Sequence, residues 1–314
     1  ELVGQRYAPV LEVKKPEGDA YRVVAGEHVT DTDGTGIVHT APAFGEEDFQ
    51  MHQKHQLPVL MTVDAEGRFD EEMGAFAGLA INEAHGPVIE ALKAADRLFK
   101  KESITHSVAT CWRCKTRLMF KAQPAWYIDV NKLRPTMTKA AESINWHPSH
   151  FKEGRFGKGL ETAPDWNISR TRYWGSPIPV WETEDGERVV IGSIEELKAK
   201  AKPGTLPEKL DLHRPMIDDV IVMTESGKEA KRIVEVFDTW FDSGSMPYAS
   251  VHYPFQNKKQ FEDGFPADFI GEAQDQTRGW FYTLHVLSSA LFGKAAYKDV
   301  ICTGLVLAED GKKM

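Results

Sequence analysis

From residue 265 the sequence runs through an apolar stretch, ADFIGE, a long helical stretch, TRGWFYTLHVLSSALFG, and a second apolar stretch, DVICTGLVLA. Two strands separated by a helix of that length cannot be closed by a tight turn, so they pair in parallel after a crossover. The pattern therefore predicts a parallel α/β unit over 265–314. In open α/β sheets, ligands bind outside the carboxyl ends of the strands. Attention falls on GEAQDQTRGW, which begins where ADFI ends and places Glu272, Asp275 and Gln276 at that edge. Asp275 could equally cap the following helix, and both roles are compatible.

The rest of the chain bounds the reading. A length of 314 residues is enough for two or three domains, and 41% hydrophobic with 27% charged residues is ordinary for a globular protein. No apolar run approaches a membrane span, no signal-peptide pattern opens the chain, and no membrane association is expected. Three cysteines are too few for a disulfide scaffold, which points to a reducing, cytoplasmic setting. A net charge of -9 argues against coating nucleic acid by bulk electrostatics but leaves room for a local basic patch. The start at Glu1 and the stop inside LAEDGKKM suggest a fragment.

Residues 1–80 carry short β-type runs (YRVVAG, GIVHTA, LPVLMTV) broken by Gly, Asp and Pro, as in a compact β-rich unit. EEDFQMHQKH reads as a short helix with acids in its first turn, and apolar spacing predicts a helix from about Gly86 to Lys100. Residues 131–145 read as helical. From Asp165 the text turns to aromatic-rich loops. Residues 182–235, charged and lysine-rich, read as an insertion on a larger body.

Four groups could carry chemistry. DTDGTG places Asp31, Asp33 and Gly36 as in a calcium loop, but Pro42 stands where a bidentate Glu is needed, so a glycine turn is the better reading. His39 and Asp48, in IVHTAPAFGEEDF, are too far apart for helix geometry; only a folded-back loop unites them. Either His39 bonds to backbone and Asp48 favours the helix start, or a carboxylate and an imidazole share a pocket. Cys111 and Cys114 form one C-x-x-C, half of a tetrahedral zinc site, with Cys302 remote and His106 a weak further ligand. A half-site completed elsewhere, a redox pair and two ordinary buried thiols stay open. Trp174, Trp240 and Trp280 could each be a core aromatic.

Taken together, GTGIVHTAP with a following G-x-x-D, ISRTRYWGSPIPVW, DTWFDSGS, DQTRGWFYTL and GLVLAEDGKKM closely resemble the isoleucyl-tRNA synthetase family, class I aminoacyl-tRNA synthetases, over nearly the whole chain. The resemblance implies a β-rich editing domain inserted in a Rossmann-type parallel α/β catalytic domain, of which the second half is present. It divides the chain into most of the editing domain with the C-x-x-C (1–120), a connection (121–181), an insertion (182–235) and the second catalytic half (236–314). The family's His-Ile-Gly-His signature and Thr-rich editing strand are absent, and its Lys-Met-Ser-Lys-Ser loop is cut after Lys313-Met314. Ala273 and Thr303 depart from the family pattern, where Gly and His or Asn are usual.

What the resemblance implies for function is specific. The enzyme would activate isoleucine with ATP and Mg, charge tRNA(Ile), and hydrolyse mischarged valyl-tRNA, because one methylene discriminates weakly in an apolar pocket. Asp48 would hold the α-ammonium of the misattached valine, with His39 beside the terminal ribose. Glu272 would contact the adenylate, Asp275 and Gln276 would position it, Trp280 and Trp174 would wall the side-chain pocket, and Lys313 would begin the ATP loop. Zinc at Cys111 and Cys114 and a monomeric state are further expectations. A valine or leucine enzyme of the same architecture, or a stand-alone tRNA-editing module, are the alternatives.

Overall fold

The structure is a computed structural model that describes residues 2–312 except Glu12, Asp31, Asp33 and Trp112. The glycine turn at 31–36 and Lys313 therefore lie wholly or partly outside the described residues. The chain divides into two compact units, Glu1–Pro124 and Ala125–Met314.

Among its described residues the first unit holds two α-helices, α1 (Glu46–His55) and α2 (His85–Ala94), and short 3-10 turns. The runs read as strands are extended but pair only through isolated bridges, such as Arg6 with Arg22 and Val63 with Phe69. A strand is stabilised by its neighbours' hydrogen bonds and side chains, not by its own propensity; no full ladder forms here among the described residues. α1 has the expected bounds, with Glu46, Glu47 and Asp48 in its first turn. α2 ends earlier than its apolar spacing suggests, because Asp96 turns left-handed (φ 54°) and Arg97 N–H bonds back to Leu92 O. Leu98 is thereby taken off the helix.

The second unit runs β1 (Tyr127–Ile128), α3 (Val130–Ala141), β2 (Asn145–His147), a π-turn at Lys152–Gly157, α4 (Lys158–Thr162), β3 (Trp166–Asn167) and β4 (Ser169–Arg170). Next come β5 (Val180–Glu182), β6 (Arg188–Val190), α5 (Ile194–Lys200), β7 (Val222–Met223), β8 (Glu229–Arg232) and β9 (Val236–Phe237). It closes with α6 (Thr239–Gly244), α7 (Met246–Ala249), α8 (Lys258–Gly264), β10 (Ala267–Ala273), a 3-10 turn at Gln274–Arg278, α9 (Trp280–Phe292) and β11 (Tyr297–Thr303).

The predicted strand–helix–strand unit is present: β10 and β11 pair in parallel, with Glu272 opposite Cys302 and Ala273 opposite Thr303. β2 adds to the far side of β11, also parallel. α9 is apolar almost all round, and Phe281, Leu284 and Val286 are buried with Met137 of α3 and Trp146, Tyr297 and Val300 of the sheet. Gly293 ends α9 in the left-handed region (φ 64°), where a glycine carries no Cβ penalty. Within the core, buried Tyr297 donates to Phe281 O at 2.8 Å, so its hydroxyl is not left unpaired.

The segment read as an insertion forms a four-stranded antiparallel sheet, β6-β5-β8-β7. It has its own core of Trp181, Ile191, Leu197, Ile217, Val220, Val222 and Ala230. Trp181 Nε1 donates to Val220 O at 2.7 Å, which satisfies the one polar atom of that indole.

Candidate functional site

Three clusters hold the residues singled out above. In the first unit, the Asp48 carboxylate turns back from α1 and accepts from Ala41 N–H at 3.0 Å. The loop is folded back, and the carboxylate lies against the backbone two residues past His39. Gly45 permits this: a Cβ there would come within 3.1 Å of Asp48 Oδ2. His39 is exposed, and Asp48 is half-buried.

The cysteine pair occupies the tip of a small hairpin. Cys111 N–H donates to Thr116 O at 2.8 Å, Lys115 N–H to Cys111 O at 2.9 Å, and Lys115 is left-handed (φ 63°). The exposed Cys114 thiol bonds to Thr116 Oγ1 at 3.2 Å. That hydroxyl, then the Thr116 backbone and Cys111, favour the thiolate and bring Cys114 down to about 7. His106 instead donates to Ser107 O. No group of three potential ligands forms among the described residues. Among the described residues this turn supplies two thiols and no further ligand beside them. Cys302 sits in the core, where burial pushes its thiol up.

The third cluster stands at the carboxyl edge of the parallel sheet. Glu272 is exposed at the end of β10, and the 3-10 turn that follows carries Asp275 and Gln276, both half-buried. Gln276 Oε1 accepts from Trp280 N–H at 2.9 Å and so caps α9 from the preceding turn. Gly279 leaves room for that bond; a Cβ would sit 2.6 Å from Gln276 Oε1 and 3.3 Å from the Trp240 ring. Trp280 packs on the main core and donates through Nε1 to Ser243 O at 3.0 Å. Trp240, on α6, is thus a neighbour of this turn. Trp174 has a different setting from Trp280. It is 70% exposed, and its ring stacks on His213 at 5.2 Å and 1°.

Two features were not read from sequence. Asp238, within DTWFDSGS, is 5% exposed and gathers Trp166 Nε1 (3.0 Å), Arg170 Nη2 (2.8 Å) and Trp240 N–H (3.3 Å). An acid preceding a helix was a legible capping signal. Arg155, on the π-turn, reaches Thr277 of the 3-10 turn at 3.1 Å, and no local signal in the sequence points to a partner 122 residues away. An open hollow of about 610 Å³ beside Lys139, Pro266 and Lys294 lies at the opposite, amino end of β10 and β11, away from these acids.

An acid, an acid–amide pair and an indole at the carboxyl end of a parallel strand, beside a helix start, can grip a polar ligand and orient it. The family described as tRNA synthetases class I (I, L, M and V) matches residues 12–314, and the chain belongs to it. Within that class it is 48% identical, over 100% of its length, to isoleucine–tRNA ligases of Treponema denticola and Chlamydia pneumoniae. It spans 30% of each of those relatives. A crystal structure of a ternary complex of Agrobacterium radiobacter K84 agnB2 LeuRS with tRNA and LeuAMS covers 48% of this chain and 21% of that one, with a TM-score of 0.35 and 20% identity, too slight a likeness to argue from.

Proposed function

We propose that this chain is part of an isoleucine–tRNA ligase that activates isoleucine with ATP, charges tRNA(Ile) and clears valyl-tRNA(Ile) by hydrolysis. The observation that carries the reading is identity of 48% along the entire chain to isoleucine–tRNA ligases of two bacteria. The acid-bearing turn at the carboxyl end of β10 supports it, since that is where a parallel sheet presents ligand groups.

In the synthetic reaction, the carboxylate of isoleucine attacks the α-phosphate of ATP and pyrophosphate departs. Glu272 accepts from the aminoacyl-adenylate, and Asp275 and Gln276 orient its ribose and aminoacyl parts. Trp280 is held by Ser243 and Gln276, which keeps its ring fixed as an apolar wall. Trp174 would have to leave its stack on His213, or carry it along, to wall the same pocket. ATP enters as its Mg complex. Catalysis at such a site is positioning and electrostatic stabilisation around the leaving pyrophosphate.

In the hydrolytic reaction, one oxygen of Asp48 is fixed by Ala41 N–H, and the other is left to bind the α-ammonium of the misattached amino acid. His39 lies beside the terminal ribose. Water attacks the ester carbonyl, and the tRNA hydroxyl is the leaving group. Zinc, if bound, would be held by Cys111 and Cys114 with ligands from other parts of the protein; two thiols supply half of its usual set. The protein works as a cytoplasmic monomer.

The test is amino-acid-dependent ATP–pyrophosphate exchange by the full-length protein, followed by transfer to tRNA(Ile). Isoleucine should support both. Preference for leucine or valine in both steps would replace the reading with one of the sister enzymes, and absence of any exchange would leave the stand-alone editing module.

A further inference from the structure

The π-turn at Lys152–Gly157 and the 3-10 turn at Gln274–Arg278 are far apart in sequence and joined at one point. Arg155 Nε donates to Thr277 Oγ1 at 3.1 Å, and Thr277 Oγ1 donates to Gln274 O at 2.7 Å. Thr277 is 2% exposed, so its hydroxyl is enclosed, while Arg155 reaches it from the exposed side of the π-turn. The turn it locks carries Asp275 and Gln276, and Gln276 in turn caps α9. The π-turn is itself shaped for the purpose. Gly157 approaches Lys152 O so closely that a Cβ would lie 2.7 Å from it. Single π-turns inside helices recur at functional sites. Arg155 also lies near the carboxyl end of β11: its guanidinium and the Asp275 carboxylate act in opposite directions on the Cys302 thiol, both behind burial.

We propose that Arg155 is a positioning residue for the site at the carboxyl edge of the sheet, acting through Thr277 to hold the turn that presents Asp275 and Gln276. The inference rests on the reading of that edge as the adenylate site. It assigns Arg155 no contact with substrate. The planar guanidinium suits the role, because its Nε–H has a fixed direction that a lysine ammonium lacks.

The experiment uses isoleucine-dependent ATP–pyrophosphate exchange by the full-length protein, with Arg155→Gln, Thr277→Val and the double variant. Each single change should lower kcat about tenfold while KM for isoleucine stays within about twofold. The double variant should be no worse than the poorer single, since both break one relay. Thermal midpoints are measured alongside. If either single variant keeps wild-type kcat, or if the two losses multiply in the double variant, the proposal is overturned; the same holds if the loss tracks only the fraction of folded protein. Should Arg155→Gln fail to fold, Thr277→Val alone decides, because it removes one hydroxyl and keeps the shape. Wild-type protein without exchange would defeat the underlying reading instead, a result separate from any variant's behaviour.

Discussion

Replacing Asp238 with alanine removes three acceptor contacts at once from a carboxylate that is almost wholly enclosed. Oδ2 takes the Trp166 indole N–H and Arg170 Nη2, and Oδ1 takes Trp240 N–H at the start of α6. Loss of an N-cap costs about 1 kcal/mol. A hydrogen bond to a charged group contributes about 1.5–3 kcal/mol. The lower half of that range applies, because the Arg170 side chain is 38% exposed and can turn to water. The Trp166 indole has less freedom and is left without its partner. The total is about 3 kcal/mol. For a unit of this size each kcal/mol moves the melting midpoint by about 2–4 °C, so a fall of about 6–12 °C is expected. Asp238→Asn keeps an acceptor for the cap and should lose about half as much. Thermal unfolding of the full-length protein reads the shift, and amide exchange at Trp240 localises it. A fall below about 2 °C for the alanine variant would show that the carboxylate is not holding β9, α6 and the β3–β4 segment together.

Asp48→Ala in the full-length protein should abolish hydrolysis of valyl-tRNA(Ile) and leave isoleucine-dependent exchange near normal; unchanged deacylation would remove Asp48 from that site. Cys114 should be alkylated by iodoacetamide with a midpoint near pH 7, and Thr116→Val should move that midpoint upward, whereas buried Cys302 should resist the reagent. Equal rates for the two thiols would count against the hairpin geometry. His285 is fully buried, its Nε2–H donates to Met137 O, and burial lowers it to about 4. Because its folded value lies below the ordinary 6.5, its contribution is complete above pH 6.5 and is lost as pH falls from there through about 4, by about 3 kcal/mol. His285→Gln should flatten that part of a stability-against-pH curve, which urea titration would read; an unchanged slope would refute the assignment.

The parallel unit was legible because its signals are local. An apolar strand, a long apolar helix and another strand occur in succession, and Gly293 marks the stop. The acid-led α1 was readable for the same reason; the helix read over 131–145 stops at Ala141 instead, and Asn145 pairs into the parallel sheet as the start of β2. The extended runs of the first unit were read as strands from Val, Ile and Tyr content, yet a ladder depends on a partner that residue type does not specify. The Asp48 bond to Ala41 fits a loop that had to fold back, and the spacing alone did not reveal which backbone group it would meet. The relay from Arg155 to Thr277 was invisible, because a π-turn has no residue signature and its partner lies on another element. Trp174 illustrates the opposite difficulty. Its motif was plain, but its stacking partner, His213, comes from an unremarkable loop.

The antiparallel sheet between β5 and β8 leaves and rejoins the body through neighbouring strands. Trp181 stands opposite Arg232, and just outside them Ser169 of β4 stands opposite Phe237 of β9. The two stems of this appendage are thus already side by side, closed like the neck of a bag. Material can be added to or trimmed from its far end, at the turn between β7 and β8 or around α5, without dragging on the parallel sheet. Length differences among related chains should therefore collect there, and a reporter peptide spliced into the Glu225–Lys228 turn should be carried silently.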